Sequence, residues 1–433
     1  MTASTVAVIG ALIFGWAVLS GALARRNVTG PLVFAAAGYL LCNPDWGPVP
    51  VDIETASIHV VAEAALALVL FSDAARVNLR ELRSDIGLPV RLLGIGLPLS
   101  VILGGVLAAA LLLDLPWALA GFLGAALAPT DAALSVQVIN DKRIPMRIRR
   151  GLNVESGLND GIATPIVTVM LAIAASQLGI VSESPSYEAG FALRDLVVGA
   201  AVGAAIGIGG AATIAFAARR GWTASAGRRL AALALAFSAY TVAIAIDGNG
   251  FIAAFVAGIA FGATLADEVT ELDRAEELPE LGGELLALVV WFLFGAALLP
   301  AAFSLLDVRI AAYALLSLTV VRMIPVFLCT IRSGLDRPTT MFIAWFGPRG
   351  LASVVFALLA FEMLGENSTA TNKAVAALTF TVLLSIVLHG FTAGPGGRRY
   401  VQLEAEAHPS DAAPRARSLR FIRGAEREGG AAA

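Results

Sequence analysis

Six ionisable side chains lie within stretches of sequence apolar enough to enter a lipid bilayer: Glu63, Asp131, Glu155, Asp160, Arg322 and Arg349. A seventh, Asp73, stands at the inner end of one such stretch. Each charge near the bilayer centre costs about 2.5–3.5 kcal/mol even on the lenient insertion scale. Six left unpaired would exceed the net stability of about 5–15 kcal/mol usual for a folded protein. They must cluster, pair or face water. The balance is lopsided, with five acids against two arginines. If both arginines pair fully, carboxylates remain that a proton or a cation must neutralise. A site that must hold one or the other is what proton-coupled cation transport requires. Snorkelling to water serves for Asp73 and for Glu63. It serves poorly for Asp160 and Arg322, which lie well inside apolar runs.

The segment Glu155-Ser156-Gly157-Leu158-Asn159-Asp160-Gly161 has internal geometry. On a helix of about 100° per residue, Ser156 and Asp160 share a face. Glu155 and Asp160 diverge by about 140°. One acid is therefore placed to ligate an ion while the other forms a fixed salt bridge. Gly157 and Gly161 permit another backbone to approach. Two other apolar stretches are interrupted beside a charge, at Ala128-Pro129-Thr130-Asp131 and at Gly347-Pro348-Arg349-Gly350. Proline removes a donor and frees carbonyls. Freed groups at membrane depth are tolerated where they are buried in protein or line a cavity. Broken spans in both halves of a transporter are the best sequence pointer to its site.

These residues need a bundle to hold them. Apolar residues make up 58% of the 433 positions and charged residues 15%. The mean hydropathy is +0.81. That excludes a water-soluble multi-domain enzyme and the collagen-like and disordered classes. Net charge is −3, so nothing globally basic points to nucleic acid. Hydropathy predicts thirteen spans, at about 4–22, 29–43, 57–73, 89–112, 116–140, 152–178, 192–218, 229–246, 249–266, 282–301, 308–331, 340–364 and 373–393. Basic residues crowd alternate connections, including Arg25-Arg26, Arg76 to Arg91, Lys142 to Arg150 and Arg219 to Arg229. The bias predicts an outside N-terminus and a cytoplasmic C-terminus. The connection from Asp267 to Glu280 is acidic, which counts little in that rule. Gly199, Gly203 and Gly207 repeat at a spacing that lets helices pack closely in lipid. Cys42 and Cys329 read as small core residues. From about Gly396 the chain turns polar and reads as a short cytoplasmic tail.

The set resembles the cation:proton antiporter-1 family, the NhaP-type sodium/proton antiporters and related animal exchangers. The resemblance rests on Ala128 to Asp131, Glu155 to Gly161, Arg322, Pro348-Arg349-Gly350 and a closing His389-Gly390 before a short break. It spans about residues 5–395. It implies an all-α polytopic membrane protein of about thirteen transmembrane helices, with inverted repeats and two broken crossing helices, NhaA/NhaP-like. The transmembrane antiporter domain would be 1–396 and the cytoplasmic tail 397–433. Within the former, about 89–178 and 308–393 would form a core, and about 4–73 and 192–301 a dimerisation domain of a homodimer. The core would move like an elevator against the other part. Asp160 would hold cation and proton in turn, with Thr130, Asp131 and Ser156 completing the site and Asn159 supporting it. Asp73 stands where family members place an acid at the inner end of span three. Metal contacts would come from Asp160, Thr130, Ser156 and Asp73. Glu155 with Arg322 would form a stabilising ion pair. Arg349 would hold Asp131 or a broken-helix end. The order Asn159-Asp160 goes with electroneutral one-for-one exchange in the wider superfamily. Glu63 has no place in that pattern.

A hard cation such as sodium prefers oxygen ligands, which Asp160, Ser156, the Thr130 carbonyl and water offer. Desolvation disfavours the charged form of a carboxylate, so proton and cation would compete for Asp160. Either occupant neutralises the carboxylate that must cross the membrane middle. The expected partners are Na+, or Li+ or K+, together with H+ and the lipid bilayer; no cofactor is expected. A K+/H+ antiporter shares nearly every feature, and a cation channel is the alternative of another class. A membrane hydrolase would need a base for Ser156. His59 and His408 are assigned to loop or tail, and His389 to the end of span thirteen. Lys142 and Lys373 are the only lysines, an arginine-heavy usage that suggests a GC-rich bacterial source. The expected location is a bacterial inner membrane.

Overall fold

The computed structural model describes residues 3–49, 55–77, 86–131, 141, 143–265, 275–365 and 368–407. Arg80, Arg83, Lys142, Asp267 and His408 lie outside these residues, as do residues 132–140 of the predicted fifth span. Within them the fold is helical throughout. The helices are α1 (Ala3–Ala24), α2 (Gly30–Cys42), α3 (Thr55–Ala75), α4 (Gly87–Leu111) and α5 (Trp117–Ala126). They continue as α6 (Met146–Gln177), α7 (Pro185–Arg219), α8 (Ser225–Ala245), α9 (Gly250–Leu265) and α10 (Glu277–Ser304). The last are α11 (Val308–Thr330), α12 (Arg337–Trp345), α13 (Leu351–Leu364) and α14 (Thr369–Ala407). Among the described residues nine of these are long and apolar enough to cross a membrane alone, and α2, α5, α9 and α13 are shorter apolar helices. Large apolar side chains such as Phe14, Ile102, Val197 and Leu315 point outward. A multi-pass protein presents that surface to lipid.

Several helices extend beyond the predicted spans because polar residues form their ends. Ser184 accepts a hydrogen bond from the Tyr187 amide and Pro185 opens the helix, so α7 starts well before the apolar run. Asp336 does the same for the Thr339 amide at 3.0 Å, starting α12. Helix α6 begins at Met146 behind Pro145 and carries Arg147, Arg149 and Arg150, residues a hydropathy average rejects. The predicted end near residue 393 is wrong for the last helix. It runs on to Ala407 with Pro395 inside, so no break follows His389-Gly390 and the helix enters the region read as tail. His59 also departs from expectation, being a buried residue of α3.

Packing places the interrupted helices at the centre. Helix α5 lies against α4 and α6, α13 against α14, α3 and α6, and α11 against α14. A Cβ at Gly199, Gly203 or Gly207 would overlap the carbonyl of Asn249, Ala253 or Ala257. The glycine repeat is thus the contact of α7 with α9, and α9 in turn packs on α3. Cys42 and Cys329 are buried free thiols.

Candidate functional site

The predicted twelfth span is two helices, α12 and α13, joined through the non-helical residues 346–350. Helix α5 stops at Ala126 before Pro129. The two breaks meet. The Asp131 amide donates to the Pro348 carbonyl at 2.8 Å. The Arg349 guanidinium donates to the Ala128 and Pro129 carbonyls at 3.1 and 3.2 Å and to Ser317 O at 3.4 Å. In return an Asp131 carboxylate oxygen accepts from the Leu351 amide at 3.3 Å, at the start of α13. A cation therefore sits at the carbonyl end of one half-helix and an anion at the amide end of another, each supplied by the opposite break. Arg349 thus holds a broken-helix end, one of the two roles expected for it. Gly350 makes the crossing possible, since a Cβ there would overlap the Asp131 side chain. A Cβ at Gly347 would press against the Arg322 guanidinium.

Helix α6 docks onto this crossing. The Ser156 hydroxyl donates to the Thr130 carbonyl at 3.0 Å. The Asn159 amide donates to the same carbonyl at 3.1 Å and to the Thr130 hydroxyl at 2.9 Å. Asn159 Oδ1 is buried without a partner among the described residues. Glu155, on the diverging face, meets Arg322 of α11 through two bonds, at 2.6 and 3.1 Å. Both side chains are buried, at 4% and 5% exposure, so each charge depends on the other.

The remaining acids separate into kinds. Asp73, Asp131 and Asp160 interact electrostatically with one another, and each keeps part of its surface accessible. Asp73 pairs with Arg76 at 2.7 Å, and Arg76 also reaches Glu280. Among the described residues the Asp160 carboxylate has neither a hydrogen bond nor an ion pair. Only its backbone carbonyl is engaged, by the Thr164 hydroxyl at 2.7 Å. Glu63 is elsewhere. It bonds Tyr240 and lies near the His59–Glu362 pair, whose atoms are 3.1 Å apart. The residues that sequence reasoning missed are small hydroxyls. Ser353 donates to Ala126 O at 2.6 Å, and Ser385 accepts from the Arg349 amide at 2.8 Å. Their signal is weak, a serine in an apolar helix facing a break elsewhere in the chain.

Residues 8–397 match the family described as sodium/hydrogen exchanger, transmembrane. The chain belongs to that family. Among curated relatives of this chain, the K(+)/H(+) antiporter NhaP of Alkalimonas amylolytica is 27% identical over 417 residues, which cover 95% of this chain and 69% of the relative. The K(+)/H(+) antiporter NhaP2 of Shewanella sp. (strain MR-4) is 26% identical over 393 residues, covering 88% of this chain and 64% of the relative. The chain thus spans about two thirds of the length of these relatives. Its fold is shared with the sodium proton antiporter MjNhaP1 of Methanocaldococcus jannaschii. The two superpose with a TM-score of 0.73 over 92% of this chain and 98% of that one, at 19% identity.

Proposed function

We propose that this exchanger is a secondary active monovalent cation:proton antiporter in which Asp160 binds cation and proton in competition. The observation that carries the reading is the contrast among the acids of the crossing and the helices packed on it. Glu155 has Arg322, Asp131 caps α13 and Asp73 has Arg76, whereas the Asp160 carboxylate is uncommitted among the described residues. The charges of Asp131 and Asp73 act on it, Ser156 lies one turn before it on the same helix face, and Ser156 and Asn159 hold Thr130, a set of oxygens suited to a hard cation. A proton or a cation neutralises Asp160 alike, and either lowers the cost of carrying it through the bilayer middle. An empty charged site is penalised and moves rarely. Exchange is then one for one and electroneutral. The core, about 89–178 and 308–393, slides against the dimerisation helices of a homodimer.

The orientation has support from the helix ends. Arg76 meets Glu280, Arg229 meets Glu277 at 2.7 Å, and Arg91 donates to the Cys329 and Ile331 carbonyls at 3.1 and 3.0 Å. Arg76, Arg91 and Arg229 belong to the connections that the basic bias of the sequence assigns to the cytoplasmic side. The C-terminus lies on the same side, the N-terminus outside, in a bacterial inner membrane.

The test is reconstitution into proteoliposomes with an imposed pH gradient and sodium, lithium and potassium added in turn. At least one cation is expected to dissipate the gradient. A gradient indifferent to all three overturns the reading, and steady conductance without counter-transport makes the protein a channel. Potassium selectivity is the second reading, favoured by the K(+)/H(+) names of the curated relatives, and the same assay decides it.

A further inference from the structure

Helix α14 grips the interruption between α12 and α13 from behind. The last residue of α12, Trp345, presents its carbonyl to His389 Nε2 at 3.0 Å. Its indole NH donates to the Thr392 hydroxyl at 3.0 Å. One turn earlier on α14, Ser385 Oγ accepts the Arg349 amide at 2.8 Å and lies 3.2 Å from His389 Nδ1. Nδ1 also lies 3.0 Å from the Ser385 carbonyl, so the two ring nitrogens face two carbonyls and a neutral imidazole donates to only one of them. With its proton on Nε2, His389 donates to Trp345 O, and Ser385 Oγ donates to Nδ1 while accepting from the Arg349 amide. His389 is 1% exposed, so its ring nitrogens have no water as a ready substitute.

We infer that His389 is a positioning residue for the ion site. Through Trp345 and Ser385 it fixes both edges of the break, and so the direction in which Arg349 leaves the backbone. Arg349 holds the Ala128 and Pro129 carbonyls, which set the place of Thr130, the residue to which Ser156 and Asn159 are bonded. The inference deepens the proposed antiport reading and rests on it. Nothing in it requires His389 to touch the cation or to titrate.

The test exploits the two ends of the imidazole. His389→Gln keeps a donor at the Nε2 position, and His389→Asn keeps an acceptor near Nδ1. His389→Ala keeps neither, and Ser385→Ala removes the link to Arg349. Two quantities are measured on the purified full chain. They are the half-saturating cation concentration in proteoliposomes and the concentration that half-maximally raises the melting temperature. His389→Ala and His389→Asn are expected to raise both by about three- to tenfold, the worth of one lost hydrogen bond. The maximal rate is expected to change less, His389→Gln to stay near wild type, and the Ala double variant to add little to either single one. Wild-type cation affinity in His389→Ala overturns the inference. So does a lower melting temperature in all three substitutions without a change in affinity, which is a purely structural role. So does a Gln variant as impaired as Ala. Failure of the ion-site reading is seen separately, as Asp160→Asn exchanging like wild type.

Discussion

Asp160 differs from the other membrane-embedded acids in what its carboxylate touches. Glu155 is locked to Arg322 at 2.6 Å, and Asp131 is spent on an amide at the start of α13. Only a group without a fixed partner can trade one ligand for another at low cost. Asp160→Asn keeps the shape and removes the exchangeable charge. It is expected to abolish cation-dependent dissipation of a pH gradient while the protein purifies and melts as a folded species. Dissipation at the wild-type rate refutes the assignment. Arg322→Ala acts differently, because it strands Glu155 in a site 4% exposed. Breaking a buried pair costs about 3–5 kcal/mol, which should appear as a clear fall in melting temperature. Replacing both members together, Glu155→Leu with Arg322→Met, should recover most of the loss. An unchanged melting temperature in Arg322→Ala would mean that the pair contributes nothing to stability. The pairing of Glu155 with Arg322 was legible in the sequence because hydropathy alone flags a charge in an apolar run, and the helical angle turns Glu155 away from Asp160. Which of several acids lacks a partner was not legible, because that depends on contacts between helices far apart in the chain.

At the scale of elements, the interrupted helices owe their stability to each other. A half-helix ending inside a membrane leaves carbonyls or amides without partners. Here Arg349 and the Ser353 hydroxyl take the carbonyls at the end of α5, and Asp131 takes an amide at the start of α13. Proline beside a charge announced both breaks. The reciprocity was not readable, since either charge could have served its own helix. Gly350→Ala tests the crossing, because the added methyl meets Asp131. Displacing reacting groups by about 1 Å commonly costs about a hundredfold in rate, and a loss of at least about tenfold in exchange is expected. Gly94→Ala, which meets nothing within 4 Å, is the control and should exchange normally. Equal activity of the two variants would show that the close approach at Gly350 has no bearing on transport. The ends of α7, α12 and α14 were missed for a plainer reason. Caps and amphipathic turns form helix as readily as apolar residues do, and a membrane-sized window counts only the latter.

For the whole molecule the question is which part moves past which. Helix α3 touches both sides of the seam that an elevator would use. Near Asp73 it faces α6, where Gly157 lies 3.5 Å from the Asp73 carbonyl by the position a Cβ would take. Toward its other end, His59 bonds Glu362 of α13 at 3.1 Å, beside Glu63 and Tyr240. Both acids of α3 that the sequence singled out thus stand at the boundary between the helices bearing the site and those expected to stay still. Such a seam must slip if Asp160 is to reach the opposite face, and the His59–Glu362 contact must then open. A chain carrying His59→Cys and Glu362→Cys, with Cys42 and Cys329 replaced by alanine, allows the contact to be tied by a reducible bifunctional thiol reagent. Tying it is expected to stop exchange almost completely and leave cation-dependent thermal stabilisation in place. Reduction should restore the rate. Each single-cysteine chain should be indifferent to the reagent. If the tied protein exchanges at full speed, α3 and α13 travel together, and the moving body has to be drawn with α3 inside it. Resistance to the tie would leave the chemistry at Asp160 intact and change only the mechanics around it, so this experiment and the Asp160→Asn measurement bear on separate claims.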